Sequence, residues 1–170
     1  MKMAKKMLAV LGCATLLLSG CTQSNIVAPT GEAAAPDFTI KEDVKIVWEQ
    51  VHEDLGETFM ESEEYPGLVQ VGFKVNEEEK TVSIELLVSD DTDKEEAVEY
   101  ATAFVKALND QVRVQNSYFE ESTEESYGGF FKQYGFQIVA APASASGEEA
   151  MYLINDTVAP GEERDIKPAE

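Results

Sequence analysis

Residues 69–88 read VQVGFKVNEEEKTVSIELLV and contain the clearest structural pattern of the chain. Apolar side chains occupy alternate positions on both sides of the polar segment 76–80, at Val69, Val71, Phe73 and Val75 and then at Val82, Ile84, Leu86 and Val88. Successive side chains of a strand point to opposite faces of a sheet, so this alternation is typical of strands with one buried face. The two runs and their short polar connection therefore predict an antiparallel β-hairpin.

Two helices are predicted, one before this hairpin and one after it. The first is indicated by apolar residues at three- and four-residue intervals, namely Ile40, Val44, Val47, Trp48, Val51 and Leu55. Thr39 and Glu42 have the spacing of a capping box at its start, and Gly56 is placed to end it.

The second helix is expected to begin at another capping box, formed by Thr92 and Glu95, and to end near Asn109 or Asp110. Its buried face would contain Ala97, Val98, Ala101, Phe104, Val105 and Leu108. Residues 112–114 are compatible with a short strand or with the last helical turn.

Two further strands are predicted at residues 136–141 and 150–158. The order α-β-β-α-β-β predicts an α+β fold, a single two-layer domain with two helices on one face of a four-stranded, mostly antiparallel sheet. This domain would span residues 37–158, and the charged, proline-bracketed residues 159–170 would form a disordered tail. The two helical patterns match at an offset of 57 residues, which leaves open whether the two helix-hairpin units are a duplication.

The N-terminal residues have the features of a secretory signal. Residues 1–7 carry three lysines and no acidic residue, and residues 8–18 form an apolar stretch too short to span a bilayer as a helix. Residues 22–36 are small and polar with two prolines, a composition typical of a flexible tether.

The segment Leu18-Ser19-Gly20-Cys21 at the end of this signal resembles the lipobox of bacterial lipoproteins in all four positions. The resemblance implies that residues 1–20 are cleaved and that Cys21 receives a diacylglycerol. Two acyl chains suffice for stable attachment to a lipid bilayer. The protein is thus expected to be a lipoprotein on the extracytoplasmic face of a membrane, at the cell surface or in the periplasm, with residues 21–36 as lipidated cysteine and tether.

The chain is strongly acidic, with 33 Asp and Glu against 13 Lys and Arg in 170 residues. Basic residues of the predicted domain are scattered singly, whereas nucleic-acid binding depends on clustered Lys and Arg, so the composition argues against a nucleic-acid partner. Cys13 and Cys21 are the only cysteines. After cleavage and lipidation no thiol remains for disulfides or thiol catalysis.

The sequence contains no recognisable catalytic motif. Its one histidine, His52, lies at the edge of the apolar stripe of the first helix, where a half-buried packing role is expected. A single histidine without thiols does not complete the usual zinc sites, and no G-x-S-x-G elbow is present. We therefore expect no enzymatic activity and no cofactor. The many Asp and Glu residues leave one alternative open, an enzyme that cleaves envelope glycans with a pair of carboxylates.

The densest acidic run precedes the second helix and includes Asp90, Asp91 and Asp93. Hard divalent cations prefer oxygen ligands. An EF-hand loop that begins at Asp91, however, would have Glu96 in place of its glycine and Thr102 in place of its bidentate acid. Capping of the helix and interaction with its dipole is the favoured interpretation, and a divalent-cation-binding lipoprotein is the alternative.

Residues 118–136 hold seven of the fifteen aromatic residues of the chain, together with the pair Gly128-Gly129. The segment also holds Glu120, Glu121, Glu124 and Glu125, and a mobile acidic loop of this composition would offer a binding surface for a sugar ring or for a cationic or peptide partner. Alternatively, the same side chains would close the core at the open end of the sheet. The candidate contact residues are Tyr118, Phe119, Tyr127, Phe130, Phe131 and Tyr134.

These observations together predict a membrane-anchored lipoprotein that acts as a non-catalytic binding module of the bacterial cell envelope. Its expected partners are the lipid bilayer, through Cys21, and an envelope protein or glycan, through residues 118–136, which we call the aromatic segment.

Overall fold

The computed structural model describes residues 44–170. Its elements are, in chain order, helix α1 (Trp48–Met60), strands β1 (Leu68–Asn76) and β2 (Thr81–Val88), helix α2 (Lys94–Gln115), and strands β3 (Gly135–Pro142) and β4 (Ile154–Val158). The predicted α+β fold and element order are confirmed. The predicted signal peptide at residues 1–20, the lipidated Cys21 with its tether, and the capping box of Thr39 and Glu42 lie outside the described residues.

The predicted hairpin is present as the antiparallel pair β1 and β2. In β2, Ser83 and Glu85 are exposed, and the apolar residues on either side of them are buried, namely Val82, Ile84, Leu86 and Val88. Strand β1 lies at the edge of the sheet and alternates less clearly, because Phe73 is buried while Val69 is 52% exposed. The alternation in the sequence therefore identifies the buried face of β2 and the buried Phe73 of β1, whereas Val69 differs from its prediction.

The sheet has the strand order β1-β2-β3-β4, and its middle pair is parallel. Only the β1–β2 and β3–β4 pairs are antiparallel. The sheet is therefore mixed and not mostly antiparallel as predicted. Helix α2 has 22 residues and spans about 33 Å, long enough to return the chain to the level at which β2 began. Parallel neighbours require such a crossover, whereas a hairpin turn makes neighbours antiparallel.

Helix α1 differs from its prediction at both ends. It begins at Trp48, where Gln115 binds the backbone of Val47 twice, accepting from its N–H at 2.7 Å and donating to its carbonyl at 3.3 Å. Gly56 does not end the helix, which continues past it and buries Phe59. Burial of such a side chain stabilises by about 1.5–3 kcal/mol, whereas a helical glycine costs about 1 kcal/mol, so the helix continues.

Helix α2 begins one residue later than predicted and is longer. Its N-cap is Asp93 rather than Thr92, because the Asp93 carboxylate accepts a hydrogen bond from the N–H of Glu96 at 2.9 Å. The helix ends at Gln115, beyond its predicted end. The segment around Val112, which is fully buried, forms its last turns and is not a strand.

The two predicted C-terminal strands are present as β3 and β4, and β4 is shorter than expected because Glu149–Met151 form a 3₁₀ helix before it. Helices α1 and α2 pack with the sheet in one hydrophobic core. On the opposite face, Gly72, Glu85, Val139 and Tyr152 contribute to a surface depression of about 440 Å³.

Residues 159–170 pack against the sheet, which corrects the predicted disordered tail. This segment forms an antiparallel bridge with β4, and its Ile166 is 2% exposed. Arg164 donates two hydrogen bonds to the carboxylate of Asp156, at 2.6 and 2.9 Å. A charged composition suggested solvation, but this ion pair and the buried isoleucine hold the segment on β4. The folded domain therefore extends beyond its predicted end at residue 158.

Candidate functional site

The aromatic segment after α2 is packed into the core. Five of the six candidate contact residues are at most 9% exposed, namely Phe119, Tyr127, Phe130, Phe131 and Tyr134. Tyr118 is 42% exposed. Phe130 stacks on Tyr134 with ring centroids 4.3 Å apart and lies edge-on to Phe119 at 5.6 Å. This packing agrees with closure of the core and differs from a mobile, exposed loop.

Two polar residues of α2 hold this segment in place. The fully buried Asn109 accepts a hydrogen bond from the N–H of Phe130 at 3.0 Å. Asp110 accepts hydrogen bonds from the N–H and the hydroxyl of Ser122, at 2.9 and 2.7 Å. Gly128 has a φ of +96°, and a Cβ there would lie 2.1 Å from the Asn109 amide nitrogen. The position therefore requires glycine both for its backbone and for its lack of a side chain.

A cleft of about 360 Å³ opens where this segment meets the start of α1 and the tip of the β1–β2 hairpin. Its volume lies within the range of small-ligand sites. The lining comprises the aromatic residues Trp48, Phe119, Phe130 and Tyr134, together with Val44, Lys45, Ile46, Glu77, Lys80, Asn116 and Gln133. We call it the aromatic cleft. It brings together three of the six candidate contact residues, whereas Tyr118, Tyr127 and Phe131 do not line it.

Trp48 is the aromatic residue of the cleft that the sequence pattern assigned only to the core. It is half-buried, its ring centroid lies 5.9 Å from that of Phe130, and its indole N–H donates to the Glu77 carboxylate at 3.0 Å. It is the only tryptophan of the chain, and the sequence alone could have marked it as a candidate binding residue for that reason. Its meeting with Glu77 is a contact between residues 29 positions apart, which local periodicity does not reveal.

Lys80 places a cation beside the cleft. Its Nζ donates to the phenol oxygen of Tyr134 at 3.0 Å and lies 4.6 Å from the centroid of that ring. Among the described residues, Lys80 is the one non-glycine residue with positive φ, at +53°. Its carbonyl accepts a hydrogen bond from the N–H of Gly135 at 2.9 Å, so the start of β3 holds the turn between β1 and β2. Surrounding contacts thus maintain an uncommon backbone conformation at the cleft.

The acidic run before α2 has a structural role. Asp93 caps the helix, and Asp90 accepts a hydrogen bond from the N–H of Ser144 at 3.2 Å. The hydroxyl of Ser89 donates to Asp91 at 2.6 Å, and this hydrogen bond lowers the pKa of Asp91. Within residues 44–170 no three His, Cys, Asp or Glu side chains are arranged to hold a metal ion.

His52 packs on the outside of the core. Its ring is stacked on that of Phe73, with centroids 3.8 Å apart and an interplanar angle of 11°. The residue is exposed rather than half-buried as predicted. It does not line the aromatic cleft.

Neither helix in the described part of the chain is both long and apolar enough to cross a membrane. Comparison with known proteins gives no match, since no family model, curated protein or solved structure aligns with this chain. Its function is therefore inferred from the aromatic cleft and from the N-terminal sequence.

Proposed function

We propose that this protein is a non-catalytic binding module of the bacterial cell envelope, anchored through a diacylated Cys21, that binds an envelope glycan in the aromatic cleft. The anchor is inferred from the resemblance of residues 18–21 to a lipobox. The observation that carries the binding function is the half-buried Trp48 in a cleft that also contains Glu77 and Gln133.

The lining of the cleft suits a sugar ring. An aromatic face carries negative electrostatic potential and attracts the polarised C–H groups on one side of a pyranose. The hydroxyl groups at the edge of the sugar need both donors and acceptors. Glu77 supplies acceptors, Lys45 supplies donors and Gln133 supplies both. A few polar groups around an aromatic surface are the general pattern of small-ligand sites.

The composition of the cleft favours binding over hydrolysis. Glycoside hydrolysis by carboxylates needs two of them, about 5 to 9.5 Å apart. Glu77 is the one carboxylate among the described residues that line the cleft, and its Oε1 accepts a hydrogen bond from Trp48. The described lining of the cleft itself therefore lacks the second acid of a catalytic pair. The alternative of a divalent-cation site has less support, because Asp90, Asp91 and Asp93 bind groups of the protein itself.

The position of Trp48 provides a direct assay. Because it is the only tryptophan, its fluorescence reports on the cleft alone. We expect a saturable change in emission when the full-length protein, in detergent micelles, is titrated with soluble glycan fragments from bacterial cell walls. No new reducing ends should form in the mixture.

Two variants test whether binding occurs at the cleft. Calorimetry should show that Trp48→Ala binds the glycan fragments at least about tenfold more weakly. Loss of a central aromatic contact typically costs more than about 1 kcal/mol. Lys45→Ala, at an exposed position, should weaken binding without a change in melting temperature. Tyr152→Ala on the opposite face of the sheet is the matched control and should bind normally. Undiminished binding by both cleft variants, or release of sugar, would contradict the proposal.

A further inference from the structure

A second depression continues the aromatic cleft. It has a volume of about 150 Å³ and is lined by Tyr118, Phe119, Glu120, Gly129, Lys132 and Gln133. Phe119 and Gln133 line both depressions. The two depressions are therefore neighbours, and we call them together the groove, with Trp48 in its larger part and Tyr118 in its smaller part.

Tyr118 is held in place although it is exposed. Its ring lies edge-on to the buried Phe119, with centroids 5.7 Å apart, and its backbone N–H donates to the Asn116 side chain at 3.0 Å. The side chain is 42% exposed. A ring already fixed at the surface loses little conformational freedom when a ligand packs on it, so it is suited to contact a second sugar ring.

The charge of the groove differs from that of the rest of the domain. Residues 44–170 contain 9 Lys and Arg against 29 Asp and Glu. The groove is lined by three basic and two acidic residues, namely Lys45, Lys80, Lys132, Glu77 and Glu120. Lys132 and Glu120 form an ion pair with each other, so the excess of one positive charge comes from Lys45 and Lys80 against Glu77 in the larger depression. An acidic ligand that the domain repels elsewhere is therefore favoured at that depression.

We propose that the groove binds an acidic glycan segment of at least two sugar rings, one against Trp48 and the next against Tyr118. This inference rests on the proposed glycan-binding function and specifies the length and charge of the ligand. A single ring would fill one depression and leave the other empty, so affinity must increase with chain length. The excess of Lys45 and Lys80 over Glu77 predicts that carboxylates on the glycan contribute to this affinity.

Chain length and ligand charge can be varied separately with the full-length protein. The probes are monosaccharide, disaccharide and tetrasaccharide fractions of cell-wall glycan, with Trp48 fluorescence as the readout. We expect the tetrasaccharide to bind at least about tenfold more tightly than the monosaccharide. Tyr118→Ala should abolish most of this gain in affinity, and Tyr152→Ala should retain it. A tetrasaccharide whose carboxylates are converted to methyl amides should bind a few-fold more weakly.

The outcomes separate this inference from the function on which it rests. Equal affinity for all three fractions, or an equal loss for monosaccharide and tetrasaccharide in Tyr118→Ala, would overturn the extended groove and leave single-ring binding intact. Equal affinity for the acidic and the amidated tetrasaccharide would overturn the charge requirement. A Trp48 signal that does not respond to any fraction would overturn both proposals.

Discussion

Asn109 shows how a single residue connects the helix, the aromatic segment and the cleft. A polar side chain is unfavourable in the buried face of a helix unless its hydrogen bonds are made. The Asn109 amide accepts from Phe130 N–H and donates to the carbonyl of Glu120, both at 3.0 Å. Phe130 is thereby fixed beside Trp48. The asparagine thus interrupts the apolar stripe of α2 in order to position the segment that lines the cleft.

We expect Asn109→Ala to lower the free energy of unfolding by about 2–4 kcal/mol. The substitution leaves the buried N–H of Phe130 without its acceptor, which costs about 1–3 kcal/mol, and adds a cavity. Urea denaturation measures the change. The exposed Asn155→Ala is the control and should shift stability by less than about 0.5 kcal/mol. A comparable loss in both variants would show that Asn109 has no special role.

Among the secondary-structure elements, the two edge strands of the sheet are protected from further pairing in different ways. An edge strand presents unpaired backbone groups to its surroundings. The C-terminal segment covers β4, since it makes a bridge to Ile154 and the N–H of Ala169 donates to the carbonyl of Leu153 at 2.8 Å. At the other edge, β1 has a register shift between Leu68 and Gln70. Such irregularities hinder the addition of another strand.

The ion pair of Asp156 and Arg164 links the C-terminal segment to β4 and makes its attachment depend on pH. Burial by itself would raise the pKa of Asp156, but hydrogen bonds from Arg164 and from the N–H groups of Lys167 and Thr157 lower it below its usual value. A lowered pKa in the folded state stabilises the protein above the pKa of the unfolded state. This contribution is lost as the pH falls through the folded-state pKa.

Asp156→Asn is therefore expected to reduce stability by about 1.5–3 kcal/mol at neutral pH, the usual contribution of hydrogen bonds to a charged group. The difference from the unmodified protein should shrink as the pH is lowered below the ordinary range of aspartate. Chemical denaturation at a series of pH values measures it.

The matched control is Glu121→Gln, which removes an exposed carboxylate 3.8 Å from Arg113. Exposed ion pairs contribute little, so this variant should differ from the unmodified protein by less than about 1 kcal/mol at every pH. A difference for Asp156→Asn that persists unchanged in acid would contradict the assigned role of the carboxylate.

At the scale of the whole molecule, the charge and the proposed anchor act in opposite directions. Cleavage of residues 1–20 would remove three lysines and no acid, which leaves 10 basic and 33 acidic residues. An acidic domain is repelled by anionic lipid, whereas a diacylated Cys21 would hold it at the membrane. The tether predicted at residues 22–36 would allow both, because the domain could then stand away from the surface.

The proposed anchor predicts a specific modification. When the protein is expressed in bacteria fed labelled palmitate, we expect label in the unmodified protein and none in Cys21→Ala, which should also leave the membrane fraction. Cys13→Ala is the control, because Cys13 lies in the predicted signal peptide and should not affect labelling of the mature protein. Equal labelling of all three proteins, or none in any, would contradict the lipoprotein assignment.

Local sequence patterns are enough to predict the helices and strands of the domain and the buried face of β2. These properties follow from side chains a few positions apart, so the period-2 pattern of residues 69–88 and the helical spacing of residues 97–108 are sufficient to predict them. The N-terminal signal is also inferred from a local pattern, and it stays a prediction. Where a prediction used one residue as a boundary, as with Gly56, the structure differs, because burial of Phe59 outweighs a local preference.

Only the folded chain shows the parallel pairing of β2 and β3, the attachment of residues 159–170 and the aromatic cleft. Each depends on contacts between distant parts of the chain. Val47 is bound by a residue 68 positions away, and the Lys80 ammonium meets the Tyr134 hydroxyl across 54 positions. Sequence patterns report which side chains are buried, but not which buried or half-buried side chains meet. The cleft could therefore not be predicted, because its residues were assigned separately to a helix, a turn and the aromatic segment.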